Sequence, residues 1–382
     1  MIYHELGFWC SVEWPVHVED YRRIEKAVGL DKELPIIVTE YGTMDECGNP
    51  AAMMRYIVSM EETNTYGNMA YWRLSNNLND TCADDNSPNS NWWLYRKYAE
   101  MEGSTLEVST SALNDDDLFD HDWWYHYKGI ASMTEDEKKI NIICNGSDNK
   151  KCVKIKNLNE TQLGSLVDVT VECVYYSGLT GIVNEPIVLR QYKAKTTGGK
   201  LNINIPGTDT DSVYFITVKP HSEETKQIRN TNIPVRYEFE DGKLLGSAYT
   251  YDSAYATTGN VQGMCGGNEN EGDGVKITLN AKEDGLYKLD IIYGKHNDGQ
   301  GAKGRDYAVA NFTLDGKTTE IMLENTIKSE YTTTKTIEVE LTRGKHTLEM
   351  THNEGTFVLD SLIMAKAERD NTPAVQENSA VA

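Results

Sequence analysis

The sequence lacks any hydrophobic run long enough to cross a membrane, and it has few basic residues for its length of 382. A membrane-spanning helix needs about 18 or more apolar residues in succession. The 37 Lys and Arg residues are outnumbered by 59 Asp and Glu residues, which gives a net charge of −22. Nucleic acids and anionic membranes bind basic surfaces. The composition therefore predicts no membrane span, no nucleic-acid partner and no membrane partner.

The sequence also lacks a secretory signal at its start and a CxxC pair. Its first residues, MIYHE, read as a strand rather than as a basic stretch followed by an apolar one. Two alternatives follow: the protein is cytoplasmic, or the sequence continues from an earlier part of a longer protein. The seven cysteines are scattered, so a zinc site is not expected. Cys144 and Cys152 flank a turn, although their spacing alone assigns no disulfide.

What the sequence does contain is many aromatic side chains, with 22 Tyr and 7 Trp. Aromatic rings with polar groups at their edges suit sugars, which expose both apolar ring faces and hydroxyl groups. Most aromatic residues nevertheless lie in hydrophobic cores. Together with the acidic charge, this composition favours a soluble protein that acts on neutral ligands.

Residues 1–103 alternate between strand-like and helical segments. Glu5, Glu40 and Trp72 belong to successive apolar runs and are 35 and 32 residues apart, about one strand–helix unit each. Such a repeat predicts a parallel sheet. Because a closed eight-stranded barrel needs about 250 residues, this region is predicted to be the last part of a (β/α)8 barrel. The expected strands are 1–7, 34–42 and 67–74, and the expected helices are 18–28, a segment beginning at Asn49-Pro50, and 91–101.

The run at 34–42 ends in a carboxylate and a glycine, as buried parallel strands do where they deliver a polar side chain at their carboxyl end. Residues 35–42 (PIIVTEYG) resemble the seventh barrel strand of clan A glycoside hydrolases, whose Glu is the catalytic nucleophile. Tyr71-Trp72 resembles their eighth strand, whose Trp forms the floor of the sugar site, and Tyr3-His4 falls where their sixth strand supplies a Tyr or His. The resemblance implies Glu40 as the nucleophile, with Trp72, Tyr3 and His4 binding the substrate.

A retaining glycosidase needs two carboxyl groups about 5 Å apart, one as nucleophile and one as acid/base. The clan's acid/base ends the fourth strand, typically as Asn-Glu, and this sequence has no such strand. Its Asn184-Glu185 lies in a β-rich region instead. Glu5 and Glu13 are on the same face as Glu40, but no motif marks either of them as the acid. The sequence therefore predicts a nucleophile without an identified partner.

Residues 104–221 lose the helical period and show short alternating strands separated by turns, a pattern typical of a β-sandwich. No catalytic constellation is present here, and we interpret the region as structural support, with a binding role as the alternative. A polar stretch at 222–232 is expected to be a linker. The all-β region also resembles family 39 glycoside hydrolases and their relatives, in which a sandwich follows the barrel. A disordered tail is expected at 368–382.

Residues 233–367 predict a second β-sandwich with a binding signature. Glu238 and Glu240 alternate with aromatic residues, which places both carboxylates on one side of a strand, and such neighbours favour a cation between them. The opening YEFED and the closing FVLDSLI resemble the first and last strands of carbohydrate-binding module families 6 and 35. In those modules the equivalent Glu residues and the Asp, here Asp360, hold a structural calcium ion. The alternative is that the three acids are unrelated surface residues.

Further segments match these modules in the correct order: GDGV at 272–275, DGLY at 284–287, LDGK at 314–317 and RGKHTL at 343–348. The resemblance implies a jelly-roll sandwich whose sugar site lies at the loop end, touched by aromatics and by an Asn just before the closing strand. Val358 stands where that Asn usually is, which leaves an altered or disabled site as an alternative. Candidate sugar-binding residues in nearby loops are Tyr251, Tyr255, Asn268, Arg305, Tyr331 and Asn353, together with His352.

Together, these patterns predict a multidomain protein with α/β and all-β parts. It is made of the end of a barrel (1–103), a supporting sandwich (104–221) and a calcium-bound carbohydrate-binding module (233–367). The predicted function is retaining hydrolysis of glycosidic bonds with attachment to a polysaccharide or oligosaccharide, and the resemblance implies secretion. The first alternative is a non-catalytic carbohydrate-binding protein, because the barrel is incomplete and the acid/base is missing. The second is a cytoplasmic protein with an unrelated half-barrel.

Overall fold

A computed structural model describes residues 1–7, 10–43, 46, 48–70, 81–83, 86–110, 128–146, 151–206, 209–230, 233–253, 263–266, 270–295, 307–326 and 332–367. These residues form mostly β-sheet with a few α-helices. No described helix is both long enough and apolar enough to span a bilayer. Cys144 is buried and Cys152 is exposed, and no disulfide joins the cysteines in the ranges given above.

The first part of the chain folds into a three-stranded parallel sheet with a helix after each strand. Its strands are β1 (Ile2–Glu5), β2 (Ile37–Tyr41) and β3 (Tyr66–Met69), in the order β1-β2-β3. The helices are α1 (Cys10–Ala27), α2 (Pro50–Thr63) and α3 (Ser90–Ala99). The alternation predicted for residues 1–103 is confirmed. Among the described residues the sheet is open, so the barrel itself stays a prediction.

Helix α1 begins at Cys10 rather than at residue 18, where apolar periodicity placed its start. Proline usually breaks a helix interior because it lacks an N–H group, yet Pro15 lies inside α1. The missing hydrogen bond would have ended on the carbonyl of Ser11, four residues earlier. That carbonyl instead accepts a hydrogen bond from the Ser59 hydroxyl of α2, at 2.7 Å. A contact with the next helix thus makes the early start possible.

Helix α2 is the centre of this region, because most of its residues are buried. Asn49 caps the helix as predicted, and its side chain accepts hydrogen bonds from the backbone N–H groups of Ala51 and Ala52, at 3.0 and 3.2 Å. The helix stops at Asn64, whose left-handed conformation (φ 50°) ends the hydrogen-bond ladder. The apolar side chains of α2 share one core with Val38, Tyr41, Ile143 and Phe215.

The middle of the chain forms a seven-stranded antiparallel sheet, with two further strands paired beside it. In spatial order the seven are β12 (Ile228–Arg229), β9 (Ile187–Lys195), β8 (Leu166–Val174), β11 (Val213–Pro220), β6 (Ile140–Asn145), β5 (Gly129–Met133) and β4 (Ser104–Thr105). The pair is β7 (Lys151–Ile155) with β10 (Leu201–Ile205). The strands predicted for 104–221 are confirmed. The segment 222–232, expected to be a linker, instead contributes β12 at one edge.

Residues alternate between the two faces of the seven-stranded sheet, as strand geometry requires. Ile143 and Phe215 belong to the core shared with α2. Their sequence neighbours Ile142 and Ile216 belong to the core shared with β10. The sheet is therefore covered on both sides and forms the middle layer of the molecule.

The last part of the chain is a sandwich of two antiparallel sheets. The first contains β15 (Tyr249–Asp252), β16 (Gly263–Gly266), β23 (Val358–Lys366), β18 (Gly285–Gly294) and β21 (Thr332–Leu341), and β13 (Val235–Glu238) also pairs with β23. The second contains β14 (Lys243–Leu245), β17 (Gly274–Ala281), β22 (Gly344–Glu354), β19 (Tyr307–Leu314) and β20 (Lys317–Glu324). Inward side chains from both sheets form one core. A sandwich was predicted here, and that fold is confirmed; we call it the module sandwich.

A buried arginine joins the module sandwich to the seven-stranded sheet. Arg236 Nε lies 2.7 Å from Oδ2 of Asp209, Nη2 donates to the Tyr176 carbonyl at 2.8 Å, and Nη1 donates to the Ser361 hydroxyl at 3.0 Å. Asp209 also accepts a hydrogen bond from the Ser212 hydroxyl at 2.7 Å. Burial opposes ionisation of Asp209, but the charge and hydrogen bond of Arg236 lower its pKa. Arg236 and Asp209 therefore form an ionic pair that is also hydrogen-bonded.

The loop that carries Asp209 also contacts the first part of the chain. Asn49 Nδ2 donates to Oδ1 of Asp211 at 2.7 Å. Asp211 is buried, and its burial together with the charge of Asp209 raises its pKa to about 7. Nearby, the Leu179 N–H donates to the Thr332 hydroxyl at 3.2 Å. Polar contacts thus connect all three parts of the chain around one loop.

We expect Arg236→Met to lower the free energy of unfolding by about 3–5 kcal/mol, because Asp209 would stay buried without its ionic partner. The measurement is urea denaturation followed by tryptophan fluorescence. Arg23→Met serves as the matched control, since Arg23 is exposed on α1 and should change stability by about 0.5 kcal/mol or less. The double variant Arg236→Met/Asp209→Asn should recover part of the loss. A loss below about 1 kcal/mol for Arg236→Met would contradict this account.

Candidate functional site

The first candidate site is the carboxyl end of β1 and β2. The register of these parallel strands pairs His4 with Glu40. His4 Nδ1 lies 3.2 Å from Oε2 of Glu40, and the two side chains are 53% and 46% exposed. Gly42 then turns the backbone with φ 88°, and its N–H donates to the Glu5 carbonyl at 3.2 Å. Glu40 is thus presented to solvent beside His4 at the end of a parallel strand.

The residue after Glu40 fixes this strand end. Tyr41 is buried, its ring stacks on Tyr56 with centroids 5.1 Å apart, and it meets Trp14 edge-on at 5.9 Å. Its hydroxyl lies 2.7 Å from the hydroxyl of Tyr95. Four aromatic rings therefore hold the end of β2, so that Glu40 projects from a rigid element.

Tyr3, a predicted substrate-binding residue, lies beside His4 on β1 and packs against the core around α2. Its burial and the neighbouring Glu5 charge raise its pKa. Because adjacent residues of a strand point to opposite sides, the structure brings His4, rather than Tyr3, to Glu40. Trp72, the predicted floor of the sugar site, lies outside the described residues.

Two further carboxylates near these strand ends are buried. Glu5 is 2% exposed, and its Oε1 lies 2.7 Å from His17 Nδ1. Glu46 is fully buried, accepts a hydrogen bond from the Tyr56 hydroxyl at 2.8 Å and lies 3.7 Å from the Arg55 guanidinium. Neither carboxylate offers Glu40 a solvent-accessible acid partner. Sequence reasoning missed Glu46, because its partners Tyr56 and Arg55 lie on the following helix and the donors from Thr43 beside it form no recognised motif.

The second candidate site is the carboxylate group of the module sandwich, formed by Glu238, Glu240 and Asp360. Glu238 ends β13, and Glu240 lies in the following turn rather than on the strand as predicted. Asp360 is fully buried on β23, and its carbonyl accepts a hydrogen bond from the Phe239 N–H at 3.0 Å. Burial raises the pKa of Glu238, and the charges of Asp360 and Glu240 raise it further, against the opposing effect of Arg236. Strand pairing thus gathers the three acids.

This carboxylate group has the ligand chemistry that calcium prefers, because all its side-chain donors are hard oxygen atoms. Buried like charges oppose each other's ionisation unless a proton or a cation neutralises them. Within the residues that the structure describes, no three His, Cys, Asp or Glu side chains already stand in a metal-binding arrangement. These oxygen donors fit calcium. That the three carboxylates converge on one ion stays a prediction.

The predicted sugar-binding residues of the module sandwich lie on different sheets. Tyr251 is on β15 beside Tyr249, with ring centroids 5.9 Å apart. Asn353 is on β22, and its amide donates to Asn311 and to Glu320, at 3.0 Å in each case. The structure therefore does not unite Tyr251 and Asn353 in one site. The remaining candidates, Tyr255, Asn268, Arg305 and Tyr331, lie outside the described residues.

Asp273, in the GDGV segment, organises the loop before β17. Its carboxylate accepts hydrogen bonds from the N–H and hydroxyl of Ser247, at 2.6 and 2.7 Å, and from the N–H and amide of Asn270, at 3.1 and 3.0 Å. These bonds, led by the one from the Ser247 N–H, lower its pKa. Its carbonyl accepts a hydrogen bond from the backbone N–H of His352 at 2.7 Å. The sequence marked this segment, but the role of its acid became visible only in the structure.

We expect Asp273→Asn to lower the melting temperature of the module sandwich at pH 7. Four donors stabilise the ionised carboxylate in the folded state, so its pKa is lowered and the stabilisation is present above the ordinary Asp pKa of about 3.9. The stabilisation is lost as the pH falls through the lowered value. The difference between wild-type and variant melting temperatures, recorded by calorimetry from pH 7 to pH 2, should therefore stay constant above about pH 4 and narrow below it. A constant difference across this range would contradict the assignment, and Asp284→Asn serves as a control on an exposed turn.

No protein-family model matches the chain. Two curated relatives align with almost all of it. A 3-O-beta-L-arabinopyranosyl-alpha-L-arabinofuranosidase of Bifidobacterium pseudocatenulatum is 24% identical over 95% of this chain and 38% of that protein. A 3-O-alpha-D-galactosyl-alpha-L-arabinofuranosidase of Bifidobacterium longum subsp. longum is 26% identical over 98% of this chain and 34% of that protein. The chain therefore spans between a third and two fifths of the length of these relatives.

Two solved structures are also similar to parts of the chain. The structure of N2152 from Neocallimastix frontalis matches 58% of this chain and 53% of that chain, with a TM-score of 0.51 and 25% identity. More than half of this chain thus shares a fold with that protein. A family 35 carbohydrate-binding module from Clostridium thermocellum aligns over 34% of this chain and 98% of that chain at 17% identity. Its TM-score of 0.30 is below the level at which two folds are considered alike.

Proposed function

We propose that the chain forms part of a secreted retaining glycoside hydrolase of clan A, similar to family 39, with Glu40 as its nucleophile. The observation that carries the proposal is an exposed carboxylate at the carboxyl end of a parallel strand, held 3.2 Å from His4. This is the end at which barrel enzymes place their chemistry. The alignment of 95% and 98% of the chain with two arabinofuranosidases suggests glycans with arabinofuranosyl units as the substrate class.

In this mechanism Glu40 attacks the anomeric carbon as the bond to the leaving-group oxygen breaks, and a covalent glycosyl–enzyme forms. Water then releases the sugar and restores the carboxylate. His4 holds Oε2 of Glu40, which leaves the other carboxylate oxygen for the sugar. The aromatic rings around Tyr41 keep the strand end from moving. The acid that protonates the leaving group must be a residue other than Glu5, which is buried against His17.

Exposed apolar side chains support a larger catalytic domain around the parallel sheet. Of the twelve large apolar side chains that are exposed among the described residues, eight lie within residues 1–66. The eight are concentrated in the first part of the chain, and soluble proteins rarely leave large contiguous apolar patches exposed. We infer that further strand–helix units cover this surface in the complete enzyme. The exposed side chains are Met1, Ile2, Val16, Ile24, Val28, Leu30, Leu34 and Tyr66.

We expect Glu40 to be labelled by a 2,4-dinitrophenyl 2-deoxy-2-fluoro-arabinofuranoside. Its leaving group needs no proton, so the reaction tests the nucleophile separately from the unidentified acid. Intact-mass spectrometry should show one added fluoropentosyl group in the wild-type chain and none in Glu40→Gln, and peptide mapping should place the label on Glu40.

Glu13→Gln is the matched control for this experiment, since it removes a carboxylate from α1 and should leave labelling unchanged. Labelling that persists in Glu40→Gln would contradict the assignment of Glu40 as the nucleophile. A wild-type chain that takes no label favours the second candidate function, a non-catalytic carbohydrate-binding protein. The observation behind that candidate is that both other carboxylates near the strand ends, Glu5 and Glu46, are buried and hydrogen-bonded.

We further propose that the module sandwich is a carbohydrate-binding module whose structural calcium ion is held by Glu238, Glu240 and Asp360. The raised pKa of Glu238, caused by burial and by the two neighbouring acids, supports a group that favours a proton or a cation. A calcium ion would neutralise these charges and tie the end of β13 to β23. Sugar binding then falls to two separate patches, with Tyr251 as a candidate on the first sheet and Asn353 as a candidate on the second.

We expect millimolar calcium chloride to raise the melting temperature of the chain relative to the same buffer with EGTA, because a ligand that binds only the folded state stabilises it. Differential scanning fluorimetry measures the shift, and magnesium chloride controls for ionic strength. Glu240→Gln should abolish most of the calcium-dependent shift. Glu320→Gln, which alters an exposed carboxylate on β20, should preserve it. Equal calcium shifts in both variants would rule out the proposed ligand set.

A further inference from the structure

A cleft of about 150 Å³ lies between the end of α3 and the seven-stranded sheet. Helix α3 ends at Ala99, and Glu100 and Met101, which follow it, line the cleft together with residues of β6 and β11. Asn141 and Thr217, directly opposite each other on these strands, line it from one face of the sheet. On the same face, Phe215 packs into the core towards α2. The cleft therefore lies over the same sheet face that packs against α2.

The walls of the cleft carry both signs of charge, and one pair of them is already matched. Lys97 Nζ lies 2.7 Å from Oε2 of Glu172, and the two side chains are 23% and 19% exposed. The same ammonium lies 5.5 Å from the centre of the Phe215 ring. This pair forms a fixed wall that offers carboxylate oxygen atoms and an ammonium group to a ligand.

Two further lysines line the cleft, Lys139 and Lys219. Neither has an acidic partner within 4 Å among the residues that the structure describes. Asp168 is opposite Lys219 in the strand register, but its carboxylate accepts hydrogen bonds from His221 and from the Thr225 hydroxyl, each at 2.7 Å. The chain has a net charge of −22, so two lysines at one cleft without an acidic partner among the described residues are unusual for it.

The floor of the cleft also holds an unused hydrogen-bond donor. The side-chain Nδ2 of Asn141 is buried and has no hydrogen-bond partner within the described part of the chain. A buried donor without a partner costs about 1–3 kcal/mol, so a ligand that supplies an acceptor would be favoured here. The Thr217 hydroxyl beside it can donate or accept. Together these groups suit a ligand with several hydroxyl groups.

We propose that this cleft binds one acidic sugar unit, a hexuronate, of the glycan on which the enzyme acts. The inference rests on the proposed function for its glycan context, but the cleft is separate from Glu40 and from the module sandwich. The sugar carboxylate pairs with Lys139 and Lys219, and its hydroxyl groups meet Asn141, Thr217 and the carboxylate of Glu172. Because ligand pockets usually measure about 300–1,000 Å³, this smaller cleft has room for one ring rather than for an oligosaccharide.

The test is isothermal titration calorimetry of the whole chain with sodium glucuronate and sodium galacturonate. Glucose probes the need for the charge, and sodium acetate probes the need for the ring. We expect at least one uronate to bind at least tenfold more tightly than both glucose and acetate, and to weaken as salt is added. Lys139→Ala/Lys219→Ala should reduce the affinity at least tenfold. Thr217→Val, which keeps the shape of the side chain, should reduce it about threefold.

The matched control is Lys154→Ala/Lys156→Ala, which removes the same charge from an exposed site on and beside β7. It should bind uronate as the wild type does, and thermal melts verify that every variant is folded. The proposal is overturned if the wild type binds no uronate, if acetate or glucose binds equally well, or if the two double variants behave alike. Labelling of Glu40 is measured in parallel. A chain that is labelled but binds no uronate contradicts only the cleft proposal, whereas a chain that binds uronate but takes no label contradicts only the proposed enzyme function.

Discussion

The buried ion pair between Arg236 and Asp209 is the contact on which the arrangement of the whole chain depends. Burying either charge alone would cost several kcal/mol, so the two residues must enter the interior together. Their partners come from different strands and loops, including the Tyr176 carbonyl and the Ser361 hydroxyl. Because Asp211 two residues on binds Asn49 at the start of α2, one loop fixes the position of the parallel sheet and of the module sandwich at the same time.

This junction also decides which surfaces of the module sandwich remain open. Ile292 and Ile363, from its first sheet, belong to the core that the seven-stranded sheet shares with β10. The first sheet is therefore partly covered on its outer side. The second sheet carries Asn311, Glu320 and Asn353 on its exposed side, joined by hydrogen bonds. A glycan would reach the module through that second sheet or through its loops.

Periodicity in the sequence was sufficient to predict most strands, because their side chains alternate between a core and an open face. The Asn49-Pro50 pair placed the start of α2 correctly, since its capping chemistry is local. The start of α1 was wrong, because its Pro15 is tolerated only through a hydrogen bond from Ser59, on another helix. Interactions of this kind depend on the folded chain and leave no local pattern.

The same difference between local patterns and long-range contacts applies to the residues of the candidate sites. The strand pattern around Glu40 and Glu238 placed both residues on strands, as the structure has them, while their roles stay predictions. Asp209 was missed because its partner Arg236 lies 27 residues away in another part of the fold, and no motif connects them. Lys139 and Lys219 were missed because isolated exposed lysines are common on any surface. Their juxtaposition depends on the packing of the end of α3 against the seven-stranded sheet.

The two groups of acids show that environment, more than residue type, assigns a carboxylate its chemistry. Glu40 is half-exposed near the end of a parallel strand, with the His4 imidazole 3.2 Å from its carboxylate. Glu238 is largely buried, and burial together with the charges of Asp360 and Glu240 raises its pKa against the opposing charge of Arg236. Such a group is a poor nucleophile at neutral pH but a strong binder of a proton or a hard cation. The same type of side chain therefore stands in two different surroundings, open to solvent at one end of the chain and crowded by like charges at the other.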